Sequence, residues 1–247
     1  MKAVKYSWGA GCTFDMVFVE GTHGHPYHFG EEGTSRPIEI GDLFIATVPV
    51  TNALWTHVIG DERRRSRGGT DLSPVESVSW DQITQPSGFL DRINQSAVRP
   101  EIASQVPRRD TAQFRLLSET EWEYAARGGP FWRDSFTFSG SNDIGQVGWY
   151  DRNSRGRIHD VAQKAPNQVG TYDMSGNVWE WCQDAFTRDI SLIPGDGMPC
   201  EGPAVERVLR GGCFNNWAIH CTVSKRYEIG RDYADESIGF RLALSIG

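Results

Sequence analysis

The sequence lacks long apolar stretches, and none of its segments approaches the roughly 20 apolar residues that a membrane-spanning helix requires. No apolar stretch follows the basic residues of the opening MKAVKYSWGAGC, so no secretory signal is visible. The five cysteines are irregularly spaced and form no CxxC pair. This pattern indicates reduced, structural thiols. We therefore predict a cytoplasmic protein without a membrane span.

Basic charge is also scarce, with 25 Lys and Arg against 32 Asp and Glu and a formal net charge of −7. Binding to a nucleic-acid backbone needs a basic face, so we expect no nucleic-acid partner. The basic run at residues 63–67 lies among glycine and serine and is typical of a solvated turn. The expected partner is a protein or a small ligand, whose identity the sequence does not give, and the oligomeric state is unknown.

Common enzyme signatures are missing as well. The sequence contains no GxSxG elbow, no Walker-type loop and no HExxH helix. Asp232, Asp235 and Glu236 lie close together, but nothing in the sequence fixes their separation, so acid–base catalysis cannot be argued from them.

The pattern along the chain is that of a loop-rich α+β protein. SETEWEYAARGG (118–129) predicts a helix with Ser118 as N-cap, Glu121 as its capping-box partner and Gly128 as a stop. A weaker helix is predicted near residues 87–94. Residues 38–51 predict a hairpin around Gly41-Asp42. Further strands are predicted at 14–21, 178–184, 207–212 and 238–244. No linker or repeat is visible, so we predict one domain over residues 1–247.

Several motifs follow one another in the order found in a known family. They are FDMVFVEG, PVTNALW, PVESVSW, FRLLSETEWEYAARGG, TYDMSGNVWEWCQD, RVLRGG and IGFRLAL. On these motifs the chain resembles the formylglycine-generating-enzyme, or sulfatase-modifying-factor, family. The resemblance implies a C-type-lectin-like α+β fold with short twisted sheets and two flanking helices. The family includes copper-dependent oxidases of protein cysteines, domains of sulfoxide synthases, and variable binding proteins of diversity-generating retroelements.

The resemblance raises the question of a copper site. The oxidases bind copper through two cysteines in the pattern RGG-S-x-x-C-x-x-x-x-C. In this chain the second cysteine is Cys221, the first is replaced by Asn216, and Cys213 stands at the serine position. Cu(I) favours paired thiolates, so we lean against an enzyme. The alternative is a copper-dependent oxidoreductase in which Cys221 acts with Cys213.

The segment between RGG and IGFR, residues 213–237, is the predicted recognition segment. It mixes aromatic, amide and charged residues with little period, which is typical of a binding surface built on loops. We predict a ligand- or protein-binding module, of which a diversified retroelement-type protein is one form, with Trp217, Tyr227 and Tyr233 as anchors. A loop-rich surface without a ligand stays the alternative. The predicted ligand-binding residues are Phe214, Asn216, Trp217, Ile219, His220, Thr222, Lys225, Tyr227, Glu228, Arg231, Tyr233, Asp235 and Glu236.

The DMSGNVWEW stretch matches a calcium loop of the family. The resemblance implies ligation by the side chains of Asp173 and Glu180 and by the carbonyls of Gly176 and Val178. Calcium prefers six to eight hard oxygens, and its binding energy adds to folding energy. We predict one structural calcium ion. The alternative is that Asn177 and Glu180 only hydrogen-bond the turn.

Three histidines lie in THGHPYHFG. The spacing of His23, His25 and His28 can place imidazoles around a transition metal. Because Gly24 and Pro26 favour a turn, we prefer the interpretation of surface histidines.

Overall fold

The computed structural model describes residues 3–8, 12–31, 33–60, 69–95, 99–100 and 113–245. The basic run at 63–67 lies outside these residues. The strands are β1 (Ala3–Trp8), β2 (Cys12–Val19), β3 (Tyr27–Phe29), β4 (Arg36–Ile38), β5 (Leu43–Ala46), β6 (Arg99–Pro100), β7 (Phe114–Arg115), β8 (Trp179–Ala185), β9 (Glu206–Arg210), β10 (Arg226–Gly230), β11 (Ile238–Phe240) and β12 (Ala243–Ser245). The α-helices are α1 (Asn52–Ile59), α2 (Trp80–Thr84), α3 (Phe89–Gln95), α4 (Glu119–Ala126) and α5 (Ile144–Val147).

Two main sheets carry the fold. The first has the order β6-β1-β2-β5-β12-β7, and the second has the order β10-β9-β8-β11. Strand β12, from the end of the chain, pairs with both β5 and β7. Strand β11 runs parallel to β8, whereas β9 and β10 pair antiparallel. Pairing between distant strands favours a single domain, which stays a prediction.

Both predicted helices are present. Helix α4 begins after Ser118, which forms the expected capping box with Glu121, and α3 covers most of the weaker pattern. The described residues contain three further α-helices. The longest, α1, is capped by the side chain of Thr51, which accepts a hydrogen bond from the N–H of Leu54, and it ends at Gly60 with φ of 79°.

The predicted hairpin at 38–51 is wrong. Strand β4 pairs with β3, whereas β5 pairs with β2 and β12. Contacts from a preceding turn hold the segment between β4 and β5 instead. The N–H of Gly21 donates to Oδ1 of Asp42 at 2.8 Å, and the N–H of Thr22 donates to the carbonyl of Ile40 at 2.8 Å. The segment around Gly41-Asp42 therefore leads the chain from one sheet to another.

Two buried arginines join the sheets to their surroundings. Arg241, from IGFR, donates to the carboxylate of Glu180 at 2.7 Å and to the carbonyl of Ala46 at 2.9 Å. Arg210, from RGG, pairs with Glu119 and Glu123 of α4 at 2.7 and 2.6 Å. All five charged side chains are essentially inaccessible to solvent. These two arginines flank the recognition segment on its two sides.

Candidate binding surface on the recognition segment

The loop from residue 211 to residue 225 is fixed at both ends to α4. Besides its two carboxylate partners, Arg210 donates to the carbonyl of Val223. Just after the loop, Nε of Arg226 donates to Glu119 at 2.6 Å, so one carboxylate serves both arginines. Gly212 lies at a positive φ of 72°, and a Cβ there would come within 2.6 Å of the Cys221 sulfur. The loop is therefore held rigidly at the surface.

Six of the predicted binding residues line one cleft of about 410 Å³, which we name the tyrosine cleft. They are Asn216, His220, Lys225, Tyr227, Tyr233 and Asp235. The ring of Tyr227 stacks on Trp179 of β8, with centroids 5.4 Å apart and planes at 29°. Cationic, acidic, amide and aromatic groups thus share one concave site.

Sequence reasoning missed several walls of this cleft. Trp179, Leu209, Ile229, Ser237 and Ile238 also line it. They lie in or beside strands β8 to β11, where apolar residues indicate a sheet core and give no sign of a cleft. Ile229 and Ser237 had one usable signal, because both lie within the predicted segment 213–237.

The remaining predicted residues face elsewhere. Trp217 and Ile219 are 70% and 68% exposed and line a second cleft of about 430 Å³. Ile219 and Thr222 line a third cleft of about 630 Å³, to which Lys225 of the tyrosine cleft also contributes. Arg231 pairs with Asp81 at the surface.

Two acidic members lie toward solvent. Glu228 is within 3.7 Å of the exposed Arg188, and Glu236 is exposed. Such surface charges bind weakly and chiefly influence which partners approach.

Phe214 was predicted to bind a ligand at the surface, but its side chain is buried. Its side chain is only 4% exposed and packs in the core that both sheets share. Its N–H donates to the carbonyl of Asn177 at 2.9 Å. A phenyl ring buried in this way supports the segment from below and cannot contact a ligand on its surface.

The two cysteines of the segment are buried. Burial raises the pKa of Cys213 to about 11 and that of Cys221 to about 12. Asn216, at the position of the missing copper cysteine, accepts hydrogen bonds from the thiol and the N–H of Cys213 at 3.1 and 3.2 Å. Copper would have to displace both thiol protons, and Asn216 offers an amide oxygen where the family has its first copper cysteine, so copper at Cys213 and Cys221 stays the alternative prediction. The described residues contain no group of three or more His, Cys, Asp or Glu that could hold a metal ion.

Of the predicted calcium ligands, Asp173 fits a nearby cation and Glu180 does not. One oxygen of Asp173, Oδ1, is buried without a hydrogen-bond partner, and burial raises the pKa of this carboxyl to about 6. That observation fits a nearby cation. Glu180, however, already accepts hydrogen bonds from Arg241 and, at 2.8 Å, from Nε1 of Trp122. The Arg241 guanidinium thus neutralises the Glu180 carboxylate. Asp173 and Glu180 together therefore do not fit a full calcium site. Calcium at Asp173, Gly176, Val178 and Glu180 stays a prediction.

The three histidines lie around a surface turn. His23 and Gly24 form the turn, with φ of 45° and 81°. Nε2 of His23 lies 3.1 Å from the carboxylate of Asp42. His25 is exposed, and the ring of His28 lies 5.9 Å from that of Trp132.

The fold and these motifs define the class of protein. Residues 11–246 match the family described as "Sulfatase-modifying factor enzyme 1-like domain", and the chain belongs to this family. The family prediction is confirmed. Within the described residues, no helix has both the length and the apolar character needed to cross a membrane.

Particular relatives differ in what their names say. The chain is 30% identical over 202 residues to "Chaperone protein LppX" of Paenibacillus barcinonensis, and the match covers 68% of this chain and 70% of that protein. It is 29% identical over 210 residues to the formylglycine-generating enzyme of Streptomyces coelicolor, covering 76% of this chain and 60% of the enzyme. Among solved structures, "Treponema denticola variable protein 1" superposes with a TM-score of 0.80 at 26% identity, covering 98% of this chain and 99% of that one. The predicted α+β fold class is confirmed by this likeness.

Proposed function

We propose that this chain is a binding module that displays the recognition segment to a protein or small ligand. The observation that carries the proposal is the tyrosine cleft, where six residues chosen from the sequence line one concave surface. Tyr227 and Tyr233 are 46% and 45% exposed beside it. Exposed aromatic rings on a rigid frame are the groups that dominate binding energy at interfaces.

The rigid frame supports the proposal energetically. Ordering a loop on binding costs about 0.5–1.5 kcal/mol for each immobilised side chain. In this chain, Arg210 and Arg226 already hold the loop on α4. The protein therefore meets much of that ordering cost when it folds, before any partner arrives.

We further propose that the recognition segment is diversified by a retroelement. The likeness to a variable protein over nearly the whole of both chains supports this interpretation. The test is in the surrounding DNA: a near-repeat of the stretch encoding residues 207–241, with substitutions confined to adenines, is expected. A flanking region without such a repeat would refute diversification and leave the binding role unaffected.

Hydrogen exchange tests the binding role itself. The chain is used to capture proteins from the organism that encodes it, and the purified complex is compared with the free chain. We expect new amide protection at residues 213–237. Protection confined to the first sheet would contradict the proposed surface.

A further inference from the structure

A second cleft is formed partly by the recognition segment and has a different chemistry. Its volume is about 430 Å³, and we name it the aspartate cleft. It is lined by Tyr150, Asp151, Arg152, Trp217, Ala218 and Ile219. Two aromatic residues, one aspartate and one arginine therefore line a concave site that shares no residue with the tyrosine cleft.

The carboxylate of Asp151 has no partner in the part of the chain that the structure describes. It makes no hydrogen bond and no ion pair there, and its Oδ1 is shielded from solvent. The neighbouring Arg152 also lines the cleft and forms no ion pair with Asp151. A partly buried carboxylate without donors is unfavourable, and the charge of a cation bound in the cleft would lower this cost without direct contact with Oδ1.

The carboxylate and the recognition segment are fixed to each other. The N–H of Asp151 donates to the carbonyl of Asn216 at 3.0 Å. The hydroxyl of Ser154 donates to the carbonyl of Phe214 at 2.7 Å. The turn that carries Asp151 is closed by Asn153, whose Oδ1 accepts from the N–H of Tyr150 at 2.8 Å. Asp151 is thus held next to the residue that precedes Trp217.

Trp217 supplies the aromatic face. It is the most exposed of the large hydrophobic residues in the described part of the chain, at 70%. A tryptophan ring attracts ammonium and guanidinium groups more strongly than other rings do. An aromatic face beside an unpaired carboxylate is a combination that favours a monovalent organic cation over an anion or a neutral group.

We propose that the aspartate cleft binds an organic cation, namely an ammonium or guanidinium group. The group comes either from a lysine or arginine side chain of a partner or from a free quaternary amine. The inference rests on the proposed function in that it places Trp217 on the recognition surface. It adds the chemistry of the partner, which the tyrosine cleft does not specify.

The test is a titration of the full chain, followed by NMR, with four probes. Nα-acetyl-lysine methylamide, Nα-acetyl-arginine methylamide and tetramethylammonium are cations, and Nα-acetyl-norleucine methylamide is the neutral control. We expect at least one cation to bind tenfold or more tightly than the norleucine probe. Binding by the lysine or arginine probes alone identifies a partner side chain, and equal binding of tetramethylammonium identifies a quaternary amine. Equal affinity for all four probes would overturn the proposal.

Variants assign the binding to this cleft. Asp151→Asn is expected to remove the preference for the cationic probes. Trp217→Ala, at an exposed position, is expected to weaken the binding of the cationic probes at least threefold. Arg152→Ala is expected to strengthen binding, because it removes a competing cation. Unchanged affinity in both Asp151→Asn and Trp217→Ala would refute the site.

Tyr227→Ala separates this inference from the proposed function. Tyr227 lines the tyrosine cleft and does not line the aspartate cleft. We expect this variant to bind the probes as the wild type does. If the probes fail to bind while partner binding still depends on Tyr227, the cation site alone is refuted. If the probes bind but Tyr227→Ala leaves partner binding unchanged, the tyrosine cleft loses its role and the cation site stands.

Discussion

Replacing Arg210 by methionine removes the cation that joins the recognition segment to helix α4. In the wild type, Arg210 has no exposed side-chain surface and donates to Glu119 at 2.7 Å, to Glu123 at 2.6 Å and to the carbonyl of Val223. The substitution leaves a carbonyl without its donor and two buried carboxylates with fewer partners.

The expected loss follows from the cost of breaking a buried ion pair, which is about 3–5 kcal/mol. Part of the charge stays compensated, because Glu119 keeps Arg226 and Glu123 keeps Arg127. We therefore expect a loss near 3 kcal/mol. For a protein of this size that loss lowers the unfolding midpoint by roughly 6–12 °C.

Thermal unfolding followed by circular dichroism measures the effect. Arg188→Met is the matched control, since Arg188 is 88% exposed and lies 3.7 Å from Glu228. An exposed pair contributes about 0–1 kcal/mol, so the control is expected to keep its midpoint within a few degrees. If Arg210→Met behaves like Arg188→Met, the reasoning about the buried network is wrong.

Three further predictions concern protons and metals. Burial raises the pKa of Asp184 to about 7, above its unfolded value of 3.8. The folded state therefore holds this proton more tightly than the unfolded state does. The contribution to the free energy of unfolding is complete below about pH 3.8 and is lost as the pH rises to about 7, by up to roughly 4 kcal/mol. Urea unfolding from pH 4 to 7 should show this loss in the wild type and a flatter profile in Asp184→Asn; parallel profiles would contradict it. In an anaerobic Cu(I) titration against a competing chelator, we expect weak binding that Cys221→Ser does not change. Tight stoichiometric binding lost in that variant would restore the oxidase alternative. If calcium binds at the predicted loop, millimolar Ca²⁺ raises the unfolding midpoint and Asp173→Asn abolishes the rise; an unchanged wild-type midpoint would exclude this site.

Local signals predicted the elements whose ends are set by neighbouring residues. Helix α4 begins where Ser118 and Glu121 indicate, because a capping box needs only residues three apart. Helix α1 had comparable signals in Thr51 and Gly60, and these could have identified it. The hairpin around Gly41-Asp42 could not be excluded in this way, because its alternative depends on Gly21 and on strands far along the chain.

The position of the candidate binding surface could be predicted from the sequence, but its shape could be predicted less well. The mixed composition of residues 213–237 indicated a surface, and six of the predicted binding residues do share a cleft. Which side chains turn inward depends on non-local contacts. Phe214 is buried against both sheets, and Arg210 meets Glu119 across a sequence separation of 91 residues. Asp151 gave no sequence signal, because the hydrogen bond that joins it to the segment in the described residues is a backbone bond to Asn216.

Partner affinity tests the proposed recognition surface most directly. The partner captured by the wild-type chain is titrated against the wild type, Tyr227→Ala, Tyr233→Ala and the control Phe131→Ala. Phe131 is 51% exposed, close to the 46% of Tyr227, but it lies outside the recognition segment. A central aromatic residue contributes about 2 kcal/mol or more, so each tyrosine variant should weaken binding by on the order of 30-fold. The account predicts this loss for both tyrosines and none for Phe131→Ala. Equal affinities in all four proteins would contradict it.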